Sequence, residues 1–221
     1  RNTGYSTRST YGFYLLSFIL ILYSTYLTRS GILGDTSAHA FTEMGLELQL
    51  ILFIATFILL GGWLWVSRYK NVPEAKTEEA GASREFWMFI GALVLFFSAV
   101  LITGATSLPV WNKIVQVFNP DYVGAALKDP VEHHNRYQLW IAVFIGFLSG
   151  MAQWLRYNER NEKIWAKTFV RHIAIAAVGA IALSAINYLW LEIHAWQYLA
   201  LLFAGMFTLV ANADFLLTFI K

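Results

Sequence analysis

Six stretches of roughly 18 to 25 predominantly apolar residues recur along the chain, and no other feature constrains its fold as tightly. They run over residues 11–28, 48–66, 86–104, 138–155, 169–190 and 196–220. At 1.5 Å per residue, each covers about 30 Å of hydrocarbon as a helix. The first four contain no Asp, Glu, Lys, Arg or His, which a buried helix of a water-soluble protein seldom manages four times running. Hydrocarbon offers no partners for backbone N–H and C=O groups, so such stretches satisfy them internally as α-helices. Composition agrees: 57% of residues are hydrophobic and 14% charged, against about 25% charged in an average soluble domain. The pattern predicts an all-α, polytopic transmembrane helix bundle of about six spans, within a single membrane domain over residues 1–221.

The charged residues bunch between the stretches, and the basic ones fall unevenly. Twelve of the sixteen Lys and Arg lie on one side: Arg1 and Arg8, the loop around 67–85, the loop around 156–171, and Lys221. Arg29, Lys113, Lys128 and Arg136 lie on the other. Cytoplasmic loops retain basic residues, so both ends are expected in the cytoplasm and the loops at 29–47 and 105–137 outside. Trp63, Trp65, Trp87, Trp154 and Trp165 then mark the inner interface, and Trp111, Trp140, Trp190 and Trp196 the outer one. Pro109, Pro120 and Pro130 predict an irregular outer loop with a short helix around Val110 to Phe118. The polar segment 67–85 reads as a linker, and 191–195 as a tight turn. The chain begins at Arg1 without Met or a signal peptide and ends just after an apolar run, the pattern of an internal piece of a longer inner-membrane protein.

There is no cysteine, so a metal or cofactor must be held by His, carboxylate or Met. A net charge of +2, with basic residues spread along membrane ends, presents no face for nucleic acid. The densest chemistry lies where the first span leaves the membrane, in Leu27-Thr28-Arg29-Ser30-Gly31-Ile32-Leu33-Gly34-Asp35-Thr36-Ser37-Ala38-His39-Ala40-Phe41. Asp35 or Thr36 suits the cap of a short amphipathic helix at the interface, carrying His39 and continuing through Phe41, Met44 and Leu46. Glu43 follows His39 by four residues and so shares its face, where its carboxylate would fix one ring nitrogen and leave the other to ligate. From the residues alone, His39 is either a metal ligand or an ordinary interfacial histidine. Arg29 and Arg136 are likewise either anchors to lipid headgroups or forks for a ligand's carboxylates.

This segment resembles the F-L-V-R-S-G-V-L…S-V-H-A-F run of cytochrome c haem lyases of the CcmF type, within the wider group of CcmF, CcmC and CcsA haem-handling proteins. Leu27 to Leu33 and Ser37 to Phe41 carry the match, with Ala38 in place of Val and a longer spacer at Gly34-Asp35-Thr36. Thr106-Ser107-Leu108-Pro109 is similar to the family's G-T-x-x-P after a span. Asn135-Arg136 is similar to its P-F-F/Y-N before the next span, with His133 and His134 where aromatic residues usually stand. Gly61-Gly62-Trp63-Leu64-Trp65 is only superficially similar to the family's tryptophan-rich signature. It lacks the Asp-Pro and Glu, and reads as an aromatic belt.

The resemblance implies that His39 is an axial ligand of haem b iron, with Glu43 behind it and Arg29 and Arg136 as possible propionate partners. A second histidine and the tryptophan-rich signature would come from outside these residues. The implied activity is haem lyase chemistry by positioning, with no catalytic side chain of its own. The implied partners are apocytochrome c, a haem chaperone, a thiol reductant and the lipid bilayer, at the periplasmic face of a bacterial inner membrane. Two other classes compete: a secondary transporter or proton-pumping subunit, disfavoured by the uncharged first four spans, and a non-catalytic membrane scaffold. His133, His134, His172 and His194 receive no role from the sequence.

Overall fold

The computed structural model describes residues 7–34, 45–73, 83–155, 162–191, 193 and 195–220. Among them are seven α-helices and no strand: α1 (Thr7–Arg29), α2 (Glu47–Arg68), α3 (Arg84–Thr106), α4 (Leu108–Phe118), α5 (Pro130–Ala152), α6 (Glu162–Leu191) and α7 (Trp196–Ile220). The protein is an all-α helical membrane protein. Among the described residues, five helices are long and apolar enough to cross a bilayer: α1, α2, α3, α6 and α7. The remaining expected span, 138–155, does form a helix, α5, but that helix stops at Ala152. Asn135, Arg136 and Gln138 occupy its earlier turns, leaving the apolar run Leu139–Ala152 at about 21 Å.

Helix ends follow local chemistry. Gly31, at φ 77°, ends α1 in the left-handed region, just after Ser30 N–H closes onto Tyr26 C=O at 2.9 Å. Pro109 sits in the first turn of α4 and Pro130 in the first turn of α5, where a missing N–H costs nothing. The Asp129 carboxylate accepts from the Glu132 N–H at 2.9 Å and caps α5. The loop expected over 105–137 is therefore largely helical. Pro109 and Pro130 start helices rather than interrupt them, while Pro120 lies in the turn after α4, and His133, His134 and Arg136 stand on α5 instead of in a loop.

Packing gathers into two compact units, one within residues 1–78 and 104–126, the other within 79–103 and 127–221. In the first, α1 and α2 form an antiparallel hairpin. Arg8 stacks over Tyr69, Gly12 faces Trp65, Phe18 meets Phe57 edge-on at 5.3 Å, and Tyr26 bonds to Glu47, so partners run in opposite order. Helix α2 buries none of its residues, and Ile51, Leu52, Phe53, Leu59 and Leu60 all face outward. Such a surface fits lipid and not water.

In the second unit α7 packs against both α5 and α6. Small residues set these contacts. Gly146 and Gly150 of α5 lie against Ala204, Phe207 and Ala211 of α7, while Ala176, Gly179 and Ala180 bring α6 onto Phe207, Val210 and Ala211. Lipid tails are as apolar as leucine, so association between spans rests on close backbone approach of this kind. Ser98 on α3 bonds to Gln138 on α5, which satisfies two polar side chains between helices.

Candidate functional site

The family-like segment begins in the best-packed part of the first unit. Tyr26 and Leu27 are the buried residues of α1, and Ser30 follows at 5% exposure. The Tyr26 hydroxyl donates to Glu47 Oε1 at 3.4 Å, and Lys113 Nζ of α4 donates to both oxygens of the same carboxylate at 2.7 and 2.8 Å. One turn earlier, the hydroxyls of Tyr23 and Ser107 bond at 2.6 Å. These contacts tie the last turn of α1, the first residue of α2 and the start of α4 into one frame. The chain between α1 and α2 leaves this frame after Gly31 and returns to it through Gly45, at φ 68°.

His39 and Glu43, the ligand and its expected carboxylate partner, lie in that intervening stretch and outside the described residues, as does the amphipathic helix expected there. Their attachment points at both ends are described. Arg29 is exposed at the last position of α1, and Arg136 is exposed on α5. They belong to different compact units. Lys113, which also lies at the expected outer side, is engaged with Glu47. His133 and His134 stack edge-on at 5.5 Å, and Tyr137 lies one turn on from His133 at 5.6 Å. Among the described residues no group of three or more His, Cys, Asp or Glu gathers as a metal site.

A second constellation went unassigned in the sequence. His172 of α6, 4% exposed, places Nδ1 2.6 Å from Asp214 Oδ2 of α7. The Trp154 ring, just past the end of α5, lies flat on the imidazole at 3.5 Å and 8°, and Phe215 meets Trp154 edge-on. Arg171 Nη2 is 3.3 Å from His172 Nε2. A guanidinium offers only donors, so this arrangement suits an imidazole with its hydrogen on Nδ1, donated to the carboxylate. Chemically the group is an oriented histidine with a carboxylate behind it, joining α5, α6 and α7 at one end. Trp154, expected as an interface anchor, packs against His172 and Phe215.

The pairing was within reach of counting. A turn centred on position 193 sets residues 21 before it and 21 after it side by side in an antiparallel helix pair, and these are His172 and Asp214. Comparison with protein-family models, with curated proteins and with solved structures gives no match to this chain.

Proposed function

We propose that this chain is the haem-handling part of a cytochrome c haem lyase, which holds haem b at the outer face of a bacterial inner membrane through His39. The observation that carries the reading is the run Leu27 to Leu33 followed by Ser37 to Phe41, with its histidine ten residues beyond the end of a membrane-length helix. The frame of Tyr26, Glu47 and Lys113 supports it, because both ends of the histidine-bearing stretch are fixed to spanning helices.

In this reading His39 would hold the iron, Glu43 would orient the imidazole, and Arg29 or Arg136 would be available to pair with a propionate. A second histidine, from outside these residues, would complete the hold on the iron. Bound haem would supply two vinyl groups, across which the Cys thiols of an apocytochrome C-x-x-C-H motif add, sulfur to one carbon and hydrogen to the other, with no net redox change. The chain's own residues supply position, so no nucleophile or acid is required of it. A haem chaperone delivers the haem and a thiol reductant keeps the Cys pair reduced.

The test is haem content and cytochrome c maturation in cells carrying the intact protein, wild type or His39→Ala. The reading expects haem content to fall several-fold and matured cytochrome c to disappear. Normal maturation in the variant refutes the ligand role. One observation favours a second reading, a proton-handling subunit: the His172–Asp214 couple set within helices that cross the membrane. If that reading is right, Asp214→Asn abolishes function while His39→Ala does not.

A further inference from the structure

Helix α4 follows α3 after the single residue Ser107 and is strongly two-faced. At about 100° per residue, its polar side chains Asn112, Lys113 and Gln116 occupy an arc of about 100°. Trp111, Ile114, Val117 and Phe118 occupy an arc of about 120° on the opposite side. Each polar side chain is used within the same unit. Asn112 Nδ2 donates to Ala125 C=O at 2.8 Å, and its Oδ1 accepts from Ala125 N–H at 2.9 Å. Lys113 grips Glu47, and Gln116 Nε2 donates to Tyr122 C=O at 3.4 Å. The four apolar side chains are all exposed, Val117 at 75% and Phe118 at 84%.

The level of this helix relative to the membrane is fixed by its neighbours. It starts where the spanning helix α3 ends, and Ser107 is bonded to Tyr23 in the penultimate turn of the spanning helix α1. Its exposed apolar arc therefore lies near the level at which α1 ends. A helix with its polar groups consumed by protein and a bulky aromatic-aliphatic face at that depth matches the physics of an in-plane amphipathic anchor. We infer that α4 lies in the plane of the membrane surface, with Trp111, Ile114, Val117 and Phe118 sunk among phospholipid glycerol groups and first acyl carbons. This does not rest on the haem reading, and neither outcome below bears on it.

The chain has no cysteine, which makes site-directed nitroxide labelling direct. Ile114→Cys, Val117→Cys and, as an aqueous control, Asp121→Cys are labelled in the full chain, reconstituted in phosphatidylcholine–phosphatidylglycerol vesicles. Collision with oxygen and with a water-soluble nickel chelate is then measured by power saturation. At 114 and 117 oxygen collisions should exceed nickel collisions several-fold, with the order reversed at 121. Nickel access at 114 and 117 equal to that at 121 overturns the inference, and so does shielding from both reagents, which would mean a protein cover. A second readout needs no label: brominated phospholipid should quench the part of the tryptophan emission that Trp111→Phe removes. Emission from Trp111 that bromine leaves unchanged also overturns it.

Discussion

Replacing Gly150 with alanine adds a methyl group 2.7 Å from Phe207 Cε1, 2.9 Å from Cδ1 and 3.3 Å from Ala211 Cβ. None of the three yields easily. Phe207 is 3% exposed and is held on another side by Phe147 at 5.3 Å, while Ala211 is fully buried. Overpacking of this kind costs about 1–3 kcal/mol, against a helix gain of about 0.5–1 kcal/mol for Gly→Ala. The net expectation is a loss of about 1 kcal/mol. Gly205 is the internal control, in α7 itself, with nothing within 4 Å of an added Cβ. There the helix gain stands alone, so Gly205→Ala should be stabilised by about 0.5–1 kcal/mol. The two variants, chemically the same change, should differ by about 2 kcal/mol, or about thirty-fold in folded-to-unfolded ratio. SDS titration in mixed lipid–detergent micelles, followed by far-UV circular dichroism, reads the difference. Equal midpoints, or a higher midpoint for Gly150→Ala, would refute the claim that α5 and α7 are joined through this close approach.

Asp214→Ala leaves a buried imidazole without its carboxylate and should cost about 1.5–3 kcal/mol in the same titration, while Asp214→Asn keeps an acceptor and should recover much of that. If the two variants unfold alike, the His172–Asp214 bond does not hold α6 to α7. Asp129→Ala removes the cap of α5 and should cost about 1 kcal/mol, with faster amide exchange at Glu132 as the local sign. Unchanged exchange there would show that Pro130 alone starts the helix. Glu47→Gln breaks an ion pair whose partners are 31% and 54% exposed, so global stability should change by less than about 1 kcal/mol. Amide exchange over the first turn of α2 should nonetheless rise, and a protected first turn would mean that the frame does not depend on Glu47.

Long apolar stretches are the strongest signal a membrane sequence carries, so α1, α2, α3, α6 and α7 are legible, with boundaries within a few residues except at the start of α6, which begins at Glu162 rather than at 169. The prolines misled where they act as starters: Asp129-Pro130-Val131-Glu132 reads as loop by composition, yet it is a helix cap with Pro at the first helical position. The polar residues at the start of α5 were legible individually, but not their effect on the length of its apolar run. For α4, Pro109 and the following run mark a short helix, and its two-sidedness is visible in the alternation of Trp111, Ile114 and Phe118 with Asn112, Lys113 and Gln116. The His172–Asp214 contact needed only the position of one tight turn. The frame around Glu47 could not have been read ahead, because Tyr23, Tyr26, Ser107 and Lys113 are joined by tertiary geometry rather than by any local spacing.

The role of His39 is tested most directly by the spectrum of the intact protein isolated with its haem. Two imidazoles on ferric iron give a low-spin electron paramagnetic resonance signal and a matching Soret band. The account predicts that His39→Gly loses that signal and that added free imidazole restores it. A low-spin spectrum in His39→Gly identical to wild type, with no response to imidazole, would contradict it.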